Sequence, residues 1–353
     1  MTESSDELLH PPTRQSSWAF AGLGICAVLL FVAELSIGAV AVPMKAVLGA
    51  LMGQDVGEVW RNILFDFRLP RALNAICSGA ALGAAGLLLQ TLFRNPLADP
   101  FVLGIVHSAR LGAAVLVTFA GVAGNALLVR FGLLGDIGLA VASVAGSTLL
   151  LSLLAVLSGR LNAITLLICG LMLGYLAVGL ISVLMHFIDE NQARAFKVWD
   201  DASFAGATVD QLQLLIPGVA LGLAALAVLI KPLNCLLLGE RYAASMGMPV
   251  RRVRRIALFV AAWLCGLVTA FCGPVAFLGL VAAQVTRGLF ASADHRVLLP
   301  GVMLSGAVLA LAADLITHLP WSRHVLHLNA VIGLVGAPVA LYVLLRRQPS
   351  ERL

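Results

Sequence analysis

Runs of roughly 20 apolar residues separated by short polar loops recur along the chain, and a helix of that length spans the hydrocarbon core of a bilayer. Backbone that crosses hydrocarbon must satisfy its own hydrogen bonds, so a bundle of transmembrane helices is expected. Composition agrees: 60% of the 353 residues are hydrophobic, 12% are charged and mean hydropathy is +0.99, which excludes an ordinary water-soluble domain.

About ten spans are expected in an all-α polytopic membrane protein. They are read at about 17–42, 72–93, 101–122, a fourth ending near 158, 163–187, 209–230, 256–272, an eighth closing at 294–296, 298–318 and 330–345. Residues 1–16 form a polar tail, 17–346 the membrane domain and 347–353 a C-terminal tail. The apolar run from Trp18 exceeds the 7–15 residues of a signal-peptide core, so no cleaved signal is expected. With the N-terminus in the cytoplasm, 14 Lys and Arg fall on that side and 8 on the other, with Arg110 inside a span. Both termini are therefore expected to be cytoplasmic.

Between the first two spans, Val56, Val59, Trp60, Ile63, Leu64 and Phe67 recur at helical spacing, which predicts an amphipathic helix lying in the outer interface. Gly79, Gly83 and Gly86 share one face of the second span, and Gly170 and Gly174 one face of the fifth, so close backbone approach is expected there. RNPLADP, from Arg94 to Pro100, stops the second span. Gly273 to Leu280 forms a turn that can dip into the membrane.

KPLNCLLLGERYAASMGMPVRRVRR, from Lys231 to Arg255, holds six of the 23 Lys and Arg. Its LGERYAASMG portion can form about two helical turns. Charge alone leaves two readings open, a docking surface and a cytoplasmic loop obeying the positive-inside rule. The pI near 9.1 is compatible with nucleic acid, but the basic residues lie between spans, so no nucleic-acid partner is expected.

The six cysteines are scattered, with no CxxC and no metal spacing, and no cofactor or metal is expected. No GxxxxGK[ST] is present, so ATP chemistry belongs to a partner and no catalytic residue is expected in this chain. His107 and Arg110 lie three apart on one face of the third span. A charge there is functional by default, or else Arg110 snorkels to the inner head groups. His318, His324 and His327 gather at the outer end of the last two spans, where an exposed loop explains them as well as metal ligation does.

At RLPRALNAICSGAALGAAGLLLQTLFRNPLADPFVLG, residues 68–104, the chain resembles FecCD/BtuC-type permease subunits of type II ABC importers, which move iron–siderophore complexes, haem or cobalamin across the bacterial inner membrane. The resemblance continues through WDDASFAGAT, LGERYAASMGMPVRRVRR, GPVAFLGL, DHRVLLPG, AADL and GLVGAP. It implies ten helices per subunit, a second permease copy or homologue, two ABC ATPase subunits and a periplasmic substrate-binding protein. It also implies that loop 232–255 carries coupling helices that seat on the ATPase, opened by Leu238, Gly239, Glu240 and Arg241 and closed near Gly247. Arg68 and Arg71 match arginines at the outer mouth that meet acidic residues of the binding protein, although head-group anchoring explains them too. The chain departs from the family pattern at 106–110, at Ala283-Gln284, at His318 and at 326–329. His107, Arg110, Gln284, His318, His327 and Asn329 are therefore the candidate translocation-path residues.

An ion-coupled secondary transporter would need acids buried in the membrane, and Asp314 is the clear candidate. A membrane enzyme would need a catalytic cluster, which the spacing does not offer. An importer of a metal chelate is the leading expectation, with siderophore ahead of haem and cobalamin.

Overall fold

The computed structural model describes residues 14–38, 40–122, 133–157, 161, 163–318 and 326–346. Most of each tail and His324 lie outside the described residues, which are mostly helical and include no strand.

Helix α1 spans Arg14–Ser36 and is followed by a short helix, α2 (Met44–Leu51), that sequence periodicity did not suggest. The expected interfacial helix is not separate. Glu58–Asn62 (α3) continues through a π-turn, Ile63–Arg68, into α4, Leu69–Phe93, so that Glu58–Phe93 is one rod of 36 residues. Pro70 lacks an N–H and its ring would crowd the carbonyl four residues back, that of Asp66, and the wider π-turn falls at this point.

The third helix of the bundle, α5 (Ile105–Val122), starts later than expected because 95–104 is irregular, with Gly104 at φ 75°. Then come α6 (Leu133–Leu157), α7 (Ala163–His186), the short polar α8 (Glu190–Asp200) and α9 (Val209–Val228). Two short helices, α10 (Ile230–Leu237) and α11 (Glu240–Ser245), precede α12, Val250–Cys272. The arginine run thus forms the first turns of α12, where a start at 256 was expected. Finally α13 (Leu278–Phe290), α14 (His295–Thr317) and α15 (Leu328–Arg346) complete the bundle.

Ten full-length spans were expected. Among the described residues, 7 helices are long and apolar enough to cross a membrane, and the apolar helices at Ile105–Phe119, Leu278–Phe290 and Leu328–Tyr342 are shorter. Two of these short helices follow irregular stretches, 95–104 and 273–277, which take up residues that a regular span would use.

α4 is the axis of the bundle. Every residue from Ser78 to Phe93 is buried, against α14, α13, α12 and α9. The small residues make this possible: a Cβ on Gly79 would lie 2.3 Å from the Gly306 carbonyl oxygen of α14, and one on Gly86 2.7 Å from the backbone of Gly279 in α13. In the same way Gly104 fits against Gly170 and Gly174 of α7. By contrast, only 11% of the apolar window in Ser16–Ser36 is buried, against 83% in Glu58–Phe93, so α1 offers most of its surface outwards.

Candidate functional site

One end of the bundle gathers the C-terminus of α4, the turn before α14, the start of α12 and the pair α10 and α11. Asn234 of α10 donates to Asp294 Oδ1 at 2.5 Å and accepts from the His295 backbone N–H at 2.9 Å. The His295 ring bridges Asn234 Oδ1 at 2.7 Å and Thr91 Oγ1 of α4 at 2.9 Å. Arg94 donates to the Leu236 carbonyl at 3.2 Å, and Glu240 pairs with Arg254 at 3.4 Å. The short helices are therefore bonded to the central rod rather than hung from flexible loops.

α11 is bounded by two residues in the left-handed half of backbone space, Gly239 at φ 118° and Gly247 at φ 79°. Its Ala243 is buried, whereas Leu238, Tyr242 and Met246 are 57%, 54% and 59% exposed. Arg241 is exposed beside them. A folded helix that presents apolar side chains among charges is suited to seat in a partner's groove. Of the sequence candidates, Leu238, Gly239, Glu240, Arg241 and Gly247 thus fall on one surface.

At the opposite end, Arg68 donates to the carbonyls of Leu35 at 2.8 Å and Ile37 at 3.0 Å and also to that of Val40, closing the end of α1. Arg71 lies between two carboxylates: Nε is 2.5 Å from Asp314 Oδ2 and 3.2 Å from Glu34 Oε1, and both acids are buried. Glu34 went unnoticed in the sequence, although a lone acid inside an apolar span is itself the signal that could have found it. Asp314, the candidate ion-relay acid, is tied to an arginine. His318 bonds Thr317 Oγ1 at 2.5 Å and the Asp314 carbonyl at 3.0 Å, a local arrangement at the helix end. His327 is exposed just before α15.

Between these ends, Arg110 forms a two-pronged ion pair with Asp200 of α8 and contacts His107 Nδ1 at 3.0 Å. Arg110 therefore has a protein partner, which overturns the alternative in which it snorkels to head groups. The His107 ring packs on Phe101, with centroids 4.6 Å apart, and Phe101 faces Phe277 at 6.1 Å. Asn329 accepts from the Ala276 N–H at 2.9 Å and donates to the Pro274 carbonyl at 2.7 Å, holding the turn before α13. Gln284 donates to the Pro96 carbonyl at 2.9 Å. Buried Asp99 accepts from the Phe101 N–H at 3.0 Å and the Leu280 N–H at 2.9 Å, joining the irregular stretch 95–104 to the first turn of α13. Sequence reading missed Asp99 and Asp200, whose partners lie 181 and 90 residues away.

Several known proteins are similar to this chain. The permease protein BtuC of the vitamin B12 import system of Klebsiella pneumoniae subsp. pneumoniae is 32% identical over 346 residues, covering 98% of both sequences. The BtuC of Salmonella paratyphi A is 32% identical and covers 86% of this chain and 93% of its own. A solved inward-facing structure of a metal-chelate type ABC transporter superposes with a TM-score of 0.77 at 26% identity, covering 94% of this chain and 99% of the other. PsaBC from Streptococcus pneumoniae, in complex with Fab, shares the fold at a TM-score of 0.55 and 16% identity, over 80% of this chain and 92% of the other. The description of the FecCD transport family matches residues 26–346, nearly the whole membrane domain, and the chain belongs to that family.

Proposed function

We propose that this FecCD-family ABC importer permease moves a metal chelate inward across the bacterial inner membrane, with ten helices crossing the bilayer and both termini in the cytoplasm. The observation that carries the reading is the near end-to-end likeness to vitamin B12 import permeases together with the likeness to a metal-chelate type transporter. Two ATPase subunits engage Leu238, Gly239, Glu240 and Arg241 on the α10–α11 surface, and a second permease copy or homologue completes the pathway. ATP hydrolysis takes place in the ATPase, and this chain transmits the resulting movement.

The bonds from Asn234 through His295 to Thr91 support such transmission, because a push on α10 reaches the buried central rod through side chains already in contact. A substrate-binding protein docks at the opposite end. Arg68 and Arg71 contribute there by holding the ends of α1 and α4 in register, since both guanidiniums already have partners within the chain. His107, Arg110, Gln284, His318, His327 and Asn329 lie along or near the path. Most of them fix its irregular segments rather than offering free ligands, which suits a cargo whose metal is already wrapped.

Within that class, an iron–siderophore complex is the cargo proposed from the sequence. Cobalamin is the second reading, favoured by the likeness to permeases of vitamin B12 import systems, and haem is a third. Uptake in proteoliposomes carrying the permease, its ATPase and the cognate binding protein separates them: one labelled chelate accumulates with ATP and the other two do not. Accumulation of none of the three in a complex that hydrolyses ATP would contradict the chelate assignment.

A further inference from the structure

A groove of about 630 Å³ runs between the last turns of α6 and the first turns of α12. It is headed by Arg251, Arg254 and Arg255, which at spacings of three and four residues share one face of α12. Below them its walls are largely apolar, among them Leu151, Leu258 and Phe259, and no acidic residue lines it among the described residues. A second groove of about 570 Å³ continues along the same seam, sharing Thr148, Ser152 and Phe259 with the first and reaching Leu267. From Arg251 to Leu267 the seam is about 24 Å long at roughly 1.5 Å of rise per residue, comparable to one bilayer leaflet with its head groups, about 20–22 Å.

A positive-inside loop needs arginines only near head groups, at any angle around the helix. Here three of them sit together at the mouth of an apolar channel. Arg254 is shared with Glu240 and with the Leu92 carbonyl, while Arg251 and Arg255 are exposed. The arrangement matches an amphiphile with an anionic head and a long hydrocarbon tail.

We propose that the α6–α12 seam binds an anionic phospholipid, its phosphate held by Arg251, Arg254 and Arg255 and one acyl chain lying along Ser152, Phe259 and Leu267. The phosphodiester accepts from the exposed guanidiniums of Arg251 and Arg255 and from Arg254 beside its pair with Glu240, and the chain covers apolar wall between two helices. Because α12 begins immediately after α11, a bound lipid braces the base of the surface proposed to meet the ATPase. The lipid site itself rests only on the seam and on the membrane setting, and it stands or falls independently of the cargo.

The test is native mass spectrometry of the full-length protein, delipidated in detergent and titrated with 1-palmitoyl-2-oleoyl phosphatidylglycerol or the matching phosphatidylethanolamine. One phosphatidylglycerol per chain is expected to bind at least tenfold more tightly than phosphatidylethanolamine. Arg251→Gln with Arg255→Gln should weaken it about thirty-fold, from roughly 1 kcal/mol per basic residue near an anionic surface. Ser152→Trp, which fills the channel and leaves the charges, should also release it, with an unchanged melting temperature showing that the bundle is intact. Equal retention of the two lipids, or wild-type retention in the double arginine variant, would overturn the proposal. So would displacement by soluble glycerophosphoglycerol at equal concentration, which would make the site one for a free phosphodiester. Displacement by the ATPase subunit would likewise assign the arginines to a protein contact.

Discussion

Arg71 Nε lies 2.5 Å from Asp314 Oδ2, in a pair that joins the start of the central helix α4 to the end of α14, 243 residues further along the chain. Glu34 approaches the same nitrogen from α1 at 3.2 Å, so one guanidinium ties three helices. Removing it leaves two buried carboxylates facing each other. Arg71→Met should therefore destabilise the protein by roughly 3–5 kcal/mol, read as a marked fall in melting temperature in detergent, with partial rescue by Asp314→Asn. Weakened binding-protein association at unchanged stability would show instead that Arg71 faces the partner directly.

Gly239 opens α11 with φ 118°, a conformation that a β-branched residue resists. A Cβ there would meet nothing within 4 Å, so the effect of Gly239→Val is confined to the backbone of the coupling surface. The reconstituted complex should lose most of its substrate-stimulated ATPase activity while the permease alone keeps its melting temperature. Glu240→Lys, which places a cation opposite Arg254, should act in the same direction. Normal stimulation in both variants would remove this surface from coupling.

The ion pair between Arg110 and Asp200 anchors the polar helix α8 to α5. Asp200→Ala should cost about 3–5 kcal/mol, because it strands a mostly buried guanidinium, and Arg110→Met with Asp200→Leu together should cost less than the single change at Asp200. A double-mutant cycle in chemical denaturation checks this, and additive losses would mean that the two residues act separately.

Gly79→Val should prevent the bundle from assembling, since the backbone of Gly306 lies where the new side chain must go. Gly22→Val on the outward face of α1, where a Cβ meets nothing within 4 Å, should be tolerated. Comparing the folded yields of the two variants isolates close packing from helix propensity, as both place the same β-branched residue in a helix.

Features governed by local chemistry were legible in the sequence. The glycine faces of α4 and α7 follow from spacing, and the end of α4 at Arg94 follows from the RNPLADP run. The folded, partly apolar loop around Gly239 followed from its polarity and turn residues together with the family resemblance. What sequence could not give was long-range pairing. Arg71, Arg110 and Asn234 were visible as polar residues in or beside spans, but the partners Asp314, Asp200 and Asp294 are brought to them by the packing of helices. The break expected at 68–71, between the interfacial helix and the second span, failed for a local reason, because a π-turn absorbs Pro70 without ending the helix. The short α5 and α13 likewise depend on the irregular stretch 95–104 being tied to the start of α13 through Asp99, a tertiary contact.

The central claim is ATP-driven inward movement of an intact metal chelate. Its most direct measurement is uptake of a doubly labelled cargo, metal and chelator carrying different isotopes, into proteoliposomes that hold the permease and ATPase and are supplied with the binding protein. Both labels are expected to accumulate in a one-to-one ratio, only with ATP, and excess free metal ion is expected not to compete. Entry of the metal without its chelator, competition by the free ion at comparable concentration, or accumulation driven by an ion gradient without ATP would contradict this claim.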